Sequence, residues 1–170
     1  DAPLTETQFA NASGTLHIPF TIGGVAITYN VPGVPKGLKF NGTVIADIFL
    51  AKITKWNDKA LVELNPDVNL PDRDIIVVHR SDGSGTTFVF TNYLSDVSRE
   101  WATTVGKSTS VNWPTGLGGK GNEGVAGLIA QNPYSVGYNE FIYAKLNNLT
   151  YGYVRNAAGV FVEPSLESFS

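Results

Sequence analysis

The sequence predicts an α/β domain, a mixed β-sheet flanked by helices, and three observations carry that prediction. Asp74–His79 (DIIVVH) is a short, nearly continuous apolar run, as a central strand buried on both faces requires. Thr43–Lys55 (TVIADIFLAKITK) sets Ile45, Ile48, Phe49 and Ile53, with Trp56 just beyond, at helical spacing. Along the rest of the chain, short apolar runs alternate with helical stretches, the order of an α/β fold.

Taken in order, Leu16–Val31 is rich in β-branched residues and broken by Gly23-Gly24, so two strand pieces joined at a glycine bend are expected. Pro32–Gly37 is a loop by composition. After the Thr43–Lys55 helix, Asn57-Asp58 can cap a second short helix that runs through Leu64 and ends at Asn65-Pro66. The Asp74–His79 strand leads into the loop Arg80–Thr87, then into an aromatic-rich helix from Phe88 to about Val97. A further helical turn or two follows over Ser98–Val105. Trp113–Gly124 reads as a glycine-rich loop feeding a helix over Gly124–Gln131, which Asn132-Pro133 stops. Ser135–Asn139 is a short strand, Glu140–Asn147 a helix, and Tyr151–Val162 a hairpin turning at Asn156–Gly159.

Composition narrows the function. At 170 residues, 42% hydrophobic and 16% charged, the chain suits one globular domain rather than two. A net charge of -3 offers no basic face for nucleic acid and no polybasic membrane anchor. Without cysteine there is no disulfide, thiolate site or thiol nucleophile, and His17 and His79 alone do not make a histidine metal site. No cofactor is indicated. No apolar run approaches the roughly 20 residues of a membrane span. The chain opens Asp1-Ala2-Pro3-Leu4 and contains no methionine, the pattern of a processed or excised chain.

The strongest chemical signal is the strand, glycine-bearing loop and helix start at VVHRSDGSGTTFVF. The first N–H groups of a helix lack internal partners, and the helix dipole places positive charge there. Gly83 and Gly85 permit close approach, Ser84, Thr86 and Thr87 offer hydroxyls, and Arg80 brings a fork of donors that Asp82 can hold in place. These are the parts of a tetrahedral oxyanion site. The same residues also satisfy a plain turn with a capped helix, so local chemistry leaves both readings open. Ser84 as a hydrolytic nucleophile ranks last, because no G-x-S-x-G context or general base accompanies it, and His79 reads as a packed side chain. Gly116–Gly121 is not a P-loop, since Lys120 is followed by Gly121. The tryptophans, Trp56, Trp101 and Trp113, read as core. Asn11, Asn41 and Asn148 head glycosylation sequons, a hint of export only in a glycosylating organism.

Several stretches together resemble the periplasmic phosphate-binding proteins of phosphate ABC transporters, in the type II periplasmic-binding-protein superfamily. They are Asp1–Leu4, Ile22–Val25, Asp47–Leu50, Lys55–Asp58, Arg80–Thr86, Asn112–Pro114 with Gly116–Gly121, and Tyr138 with Tyr143–Leu149. The match runs in order over nearly the whole chain. The resemblance implies a non-enzymatic, two-lobed receptor in the periplasm or at the cell exterior that buries one inorganic phosphate and docks on a membrane permease. It implies that Arg80 is the charged ligand, Asp82 its orienting partner, and Ser84, Gly85 and Thr86 donors. Asp1 then matches a carboxylate that accepts a hydrogen bond from the protonated phosphate oxygen, which sulfate lacks. By the resemblance, the family's other ligands belong to an N-terminal segment and a serine/glycine loop before Asp1, and its first lobe takes back a long C-terminal segment after Ser170. The expectation is therefore that residues 1–170 form a single lobe, a fragment whose companion lobe lies outside this chain. The alternative is a lone-lobe assembly module, a surface-layer or filament subunit, with incidental phosphate binding.

Overall fold

Along Val25–Asn30 (β1) successive side chains point to opposite faces, and both faces are covered. Ile27 and Tyr29 enter one hydrophobic cluster while Ala26 enters another, so β1 lies in a sheet with cores on both sides. The computed structural model describes residues 2–12, 14–18 and 22–169. Among them the elements run α1 (Glu6–Asn11), β1, β2 (Lys39–Phe40), α2 (Gly42–Phe49), α3 (Lys59–Leu64), β3 (Ile76–Arg80), α4 (Gly85–Val97) and α5 (Arg99–Thr104). They continue through β4 (Leu117–Gly119), α6 (Gly121–Gln131), β5 (Ser135–Glu140), α7 (Phe141–Leu146), β6 (Thr150–Tyr151), β7 (Tyr153–Arg155) and β8 (Phe161–Val162).

The main sheet has the order β4-β3-β5-β1-β6. It is mixed: β3 runs parallel to β4 and β5, while β1 is antiparallel to β5 and β6. A second sheet, β2-β7-β8, contains the foreseen hairpin, with Gly159 N–H closing the turn on Asn156 O at 2.9 Å. The larger cluster packs α2, α3 and α4 residues such as Ile45, Phe49, Leu61, Phe90 and Leu94 against Val77, Val136 and Tyr138. The smaller one packs Val125, Ala126 and Ile129 of α6 and Phe141 and Ala144 of α7 against Val78. Trp56 and Trp101 are fully buried, as expected of core tryptophans, and Trp113 is half-buried.

Four expectations need correction. The strand pieces over Leu16–Val31 reduce to β1: residues 15–18 are not strand, Leu16 and Ile18 are each 80% exposed, and residues 19–21 lie outside the described set. Apolar alternation makes a strand only where a neighbouring strand pairs with it. The helix expected to reach Lys55 ends at Phe49, because Ala51 adopts φ 58 and the N–H groups of Lys52 and Ile53 both return to Asp47 O. The chain then swings Lys55 into a bridge with Asp74. The helix expected from Phe88 already starts at Gly85, capped by Ser84. Finally, the glycine-rich stretch contains β4 rather than only loop. A Cβ on Gly119 would stand 2.6 Å from backbone atoms of Gly124 and Val125, so glycine is what lets β4 lie flat against α6.

Candidate functional site

At its C-terminal end the inner strand β3 leads into α4 through the predicted loop. Arg80 is the last residue of β3, and its side chain is only 9% exposed. Its Nε donates to Asp82 Oδ1 at 2.8 Å and its Nη2 to Asp82 Oδ2 at 2.7 Å, a two-pronged pair. Asp82 Oδ1 also accepts from the Gly121 N–H at 3.1 Å, the first residue of α6. Asp82 is thus fixed from two sides. The pairing with Arg80 holds its carboxyl well below the ordinary 3.8, with help from Gly121, and Arg80 is held above its ordinary value by the same bond. A guanidinium has five N–H donors, and those not given to Asp82 remain for a ligand.

Ser84 caps α4: its Oγ accepts from the Thr87 N–H at 3.3 Å, and its own N–H donates to Thr109 O at 2.9 Å. The N–H groups of Gly85 and Thr86 begin the helix, where no turn precedes them to supply acceptors. Behind the loop, the fully buried Tyr138 hydroxyl accepts from the Arg80 N–H at 3.2 Å and lies 2.7 Å from Thr87 Oγ1. Burial pushes that phenol up to about 12, so it stays a neutral strut. His79 stacks on Trp113 with ring centroids 4.8 Å apart, and its Nδ1 sits 3.0 Å from Arg80 O. Burial lowers its basicity. It is a packed side chain, as the sequence suggested.

Arg80, Gly83, Ser84, Gly85 and Thr86 line one cleft of ≈ 430 Å³, together with Gly23, Val25, Val89, Asn122 and Glu140. Four of the predicted ligands are therefore gathered, with Asp82 behind Arg80. Asp1 lies outside the described residues. Sequence reading missed Asn122, Glu140 and Tyr138. A lone Asn at a helix start and a Tyr in a strand carry no signal until β5 and α6 are known to flank β3. Glu140 lies close over Gly23: a Cβ there would be 2.6 Å from its Oε1, the far end of a side chain that would have to swing away from that wall of the cleft. Among the described residues no cluster of three or more His, Asp or Glu could hold a metal ion. No described helix is long and apolar enough to cross a membrane. Of the sequons, Asn41 spends its side chain capping α2, whereas Asn11 and Asn148 are exposed.

The Arg80–Asp82 pair gives one acid-linked prediction. A carboxyl whose folded value is depressed contributes stability that is fully present above 3.8 and is lost as the pH falls through the folded value. Thermal melts taken from about pH 5 down to about pH 2 should therefore fall less steeply in Asp82→Asn than in the parent. Parallel curves would refute the linkage.

Comparison with known proteins places the chain in a family. A model of the PBP superfamily domain matches residues 1–168. The chain is 59% identical over 155 residues to the phosphate-binding protein PstS of Pasteurella multocida, covering 91% of this chain and 45% of that protein. To the phosphate-binding protein PstS of Haemophilus influenzae it is 55% identical over 170 residues, covering 99% of this chain and 51% of that protein. Among solved structures, a high-affinity periplasmic phosphate-binding protein (PfluDING) bound with phosphate aligns with a TM-score of 0.72 at 22% identity, over 98% of this chain and 49% of that one. That last likeness concerns the fold alone. The chain spans about half the length of the curated relatives it matches. With its mixed sheet and flanking helices, the chain belongs to the PBP superfamily, a family of binding proteins, beside the phosphate-binding proteins of the PstS type.

Proposed function

We propose that this chain is the anion-holding lobe of an extracytoplasmic receptor that captures inorganic phosphate and delivers it to an ABC-transporter permease. The observation that carries this reading is the Arg80 guanidinium, pinned by Asp82 beside the Ser84-capped start of α4 in one cleft. Arg80 supplies charge, and Ser84, Gly85 and Thr86 supply hydroxyl and backbone donors, while Asp82 orients the arginine. This set of donors fits the unprotonated oxygens of an oxyanion, which only accept. Asp1 is proposed as the acceptor for the protonated phosphate oxygen.

The chain as a single lobe presents one wall of the site, and the companion lobe is proposed to close over the opposite side. One-sided contact forfeits burial and several hydrogen bonds, so binding to this chain alone is weak, with a dissociation constant on the order of 0.1–1 mM, about 4–5.5 kcal/mol. Calorimetric titration with phosphate and with sulfate near neutral pH, where inorganic phosphate carries a proton and sulfate does not, tests the reading. Saturable phosphate heat that exceeds the sulfate heat is the expected result. Equal responses to both anions would remove Asp1 from the site, and a sulfate preference would overturn the phosphate assignment.

A further inference from the structure

Asn122, the second residue of α6, ties three elements together. Its Oδ1 accepts from the Glu140 N–H at 3.1 Å, and its Nδ2 donates to Thr86 Oγ1 at 3.4 Å. Its backbone carbonyl accepts from Asn139 Nδ2 at 2.9 Å, and Asn139 Oδ1 in turn accepts from the Thr28 hydroxyl at 2.9 Å. Thr28 and Asn139 are fully buried, so the anchor of this chain of bonds is rigid. The direction of the amide follows from chemistry. A backbone N–H can only donate, so the amide oxygen must face Glu140 and the amide nitrogen must face Thr86.

A hydroxyl has one proton. If Thr86 Oγ1 accepts from Asn122, its own proton must go to another acceptor. Deeper in α4 such protons return to the carbonyl one turn earlier: Thr91 Oγ1 donates to Thr87 O, and Ser95 Oγ donates to Thr91 O, each at 2.9 Å. Thr86 is the second residue of the helix, and no turn precedes it. Thr86 and Asn122 both line the anion cleft. We infer that Asn122 is a positioning residue that fixes the polarity of the Thr86 hydroxyl, turning it into a donor aimed at the bound anion. Ser84 is set by the same logic, since its Oγ already accepts from the Thr87 N–H. The loop therefore presents its hydroxyls to the cleft as protons rather than as lone pairs.

The binding arm of the test rests on the phosphate reading of the cleft; a second arm does not. In a double-mutant cycle with phosphate, Thr86→Val is expected to weaken binding about tenfold and Asn122→Ala about fivefold. In the Thr86→Val background, Asn122→Ala should cost less than about twofold, because its only route to the anion has gone. Additive losses would overturn the inference, since they would mean that Asn122 touches the anion itself or only supports the fold. The second arm needs no ligand. In nuclear magnetic resonance of the free chain, Thr86→Val should move an Asn122 side-chain amide proton upfield and speed its exchange with water. An unchanged amide would overturn the inference, even if phosphate failed to bind the parent chain and thereby refuted the phosphate reading instead.

Discussion

Replacing Arg80 with methionine is expected to abolish measurable phosphate binding while leaving the chain folded. Removing one member of a desolvated, hydrogen-bonded charge pair typically costs about 2–5 kcal/mol, or roughly 30- to 4,000-fold in affinity. Arg80 lies at the upper end because its side chain is only 9% exposed and is already oriented by Asp82, so the anion meets a charge with little rotamer entropy left to lose. Methionine preserves most of the stem that packs at the end of β3. Asp82, about a third exposed, can be rehydrated once its partner has gone and keeps its bond to the Gly121 N–H. Calorimetry checks the affinity and thermal unfolding checks the fold. A variant that still binds with the parent affinity would move the site away from this loop.

The largest effect on stability is expected from Trp56→Ala. Trp56 is fully buried beside Tyr29, with ring centroids 6.1 Å apart, and its Nε1–H donates to Tyr134 O at 2.9 Å. Truncating a buried tryptophan costs about 3–5 kcal/mol through lost transfer energy and the cavity left behind. For a domain of this size that corresponds to a fall of about 6–20 °C in melting temperature. The Tyr134 carbonyl keeps its second donor, the Ile76 N–H at 3.0 Å, so the lost indole bond adds little to that cost. Trp56→Phe retains most of the buried ring surface and should cost clearly less. A melting temperature for Trp56→Ala within a degree or two of the parent would show that the cluster closes over the gap.

Much of the frame was legible because its signals are local. Asp58 and Ser98 cap the helices that follow them, the apolar run ending at His79 forms the inner strand, and Asn156–Gly159 turns the hairpin. The geometry of the candidate anion loop was legible for the same reason: Arg80, Asp82 and Ser84 are neighbours in sequence, and their bonds span only two or three residues. What escaped depends on partners far along the chain. Glycines at Gly118 and Gly119 look like loop until β3 supplies a strand beside them. Asn122 gains meaning only from Thr86, 36 residues earlier, and Tyr138 only from Arg80, 58 residues earlier. Leu16 and Ile18 misled in the opposite direction, since their alternation satisfies a strand pattern that no described neighbour completes.

The strand order also governs how the chain can be made. β5 sits between β3 and β1, so residues 135–140 join the two sides of the main sheet. During vectorial synthesis, β1 emerges before the other strands and must wait for the chain to lengthen by more than a hundred residues, from Asn30 to Ser135, before its β5 edge is covered. Closing so long a loop slows folding and leaves apolar strand surface exposed in the interval. The Arg80 backbone likewise lacks its Tyr138 strut until then. A nascent chain halted between Thr87 and Tyr134 carries every residue of the candidate anion loop but lacks the strand that joins β3 to β1, so the loop takes its final setting late.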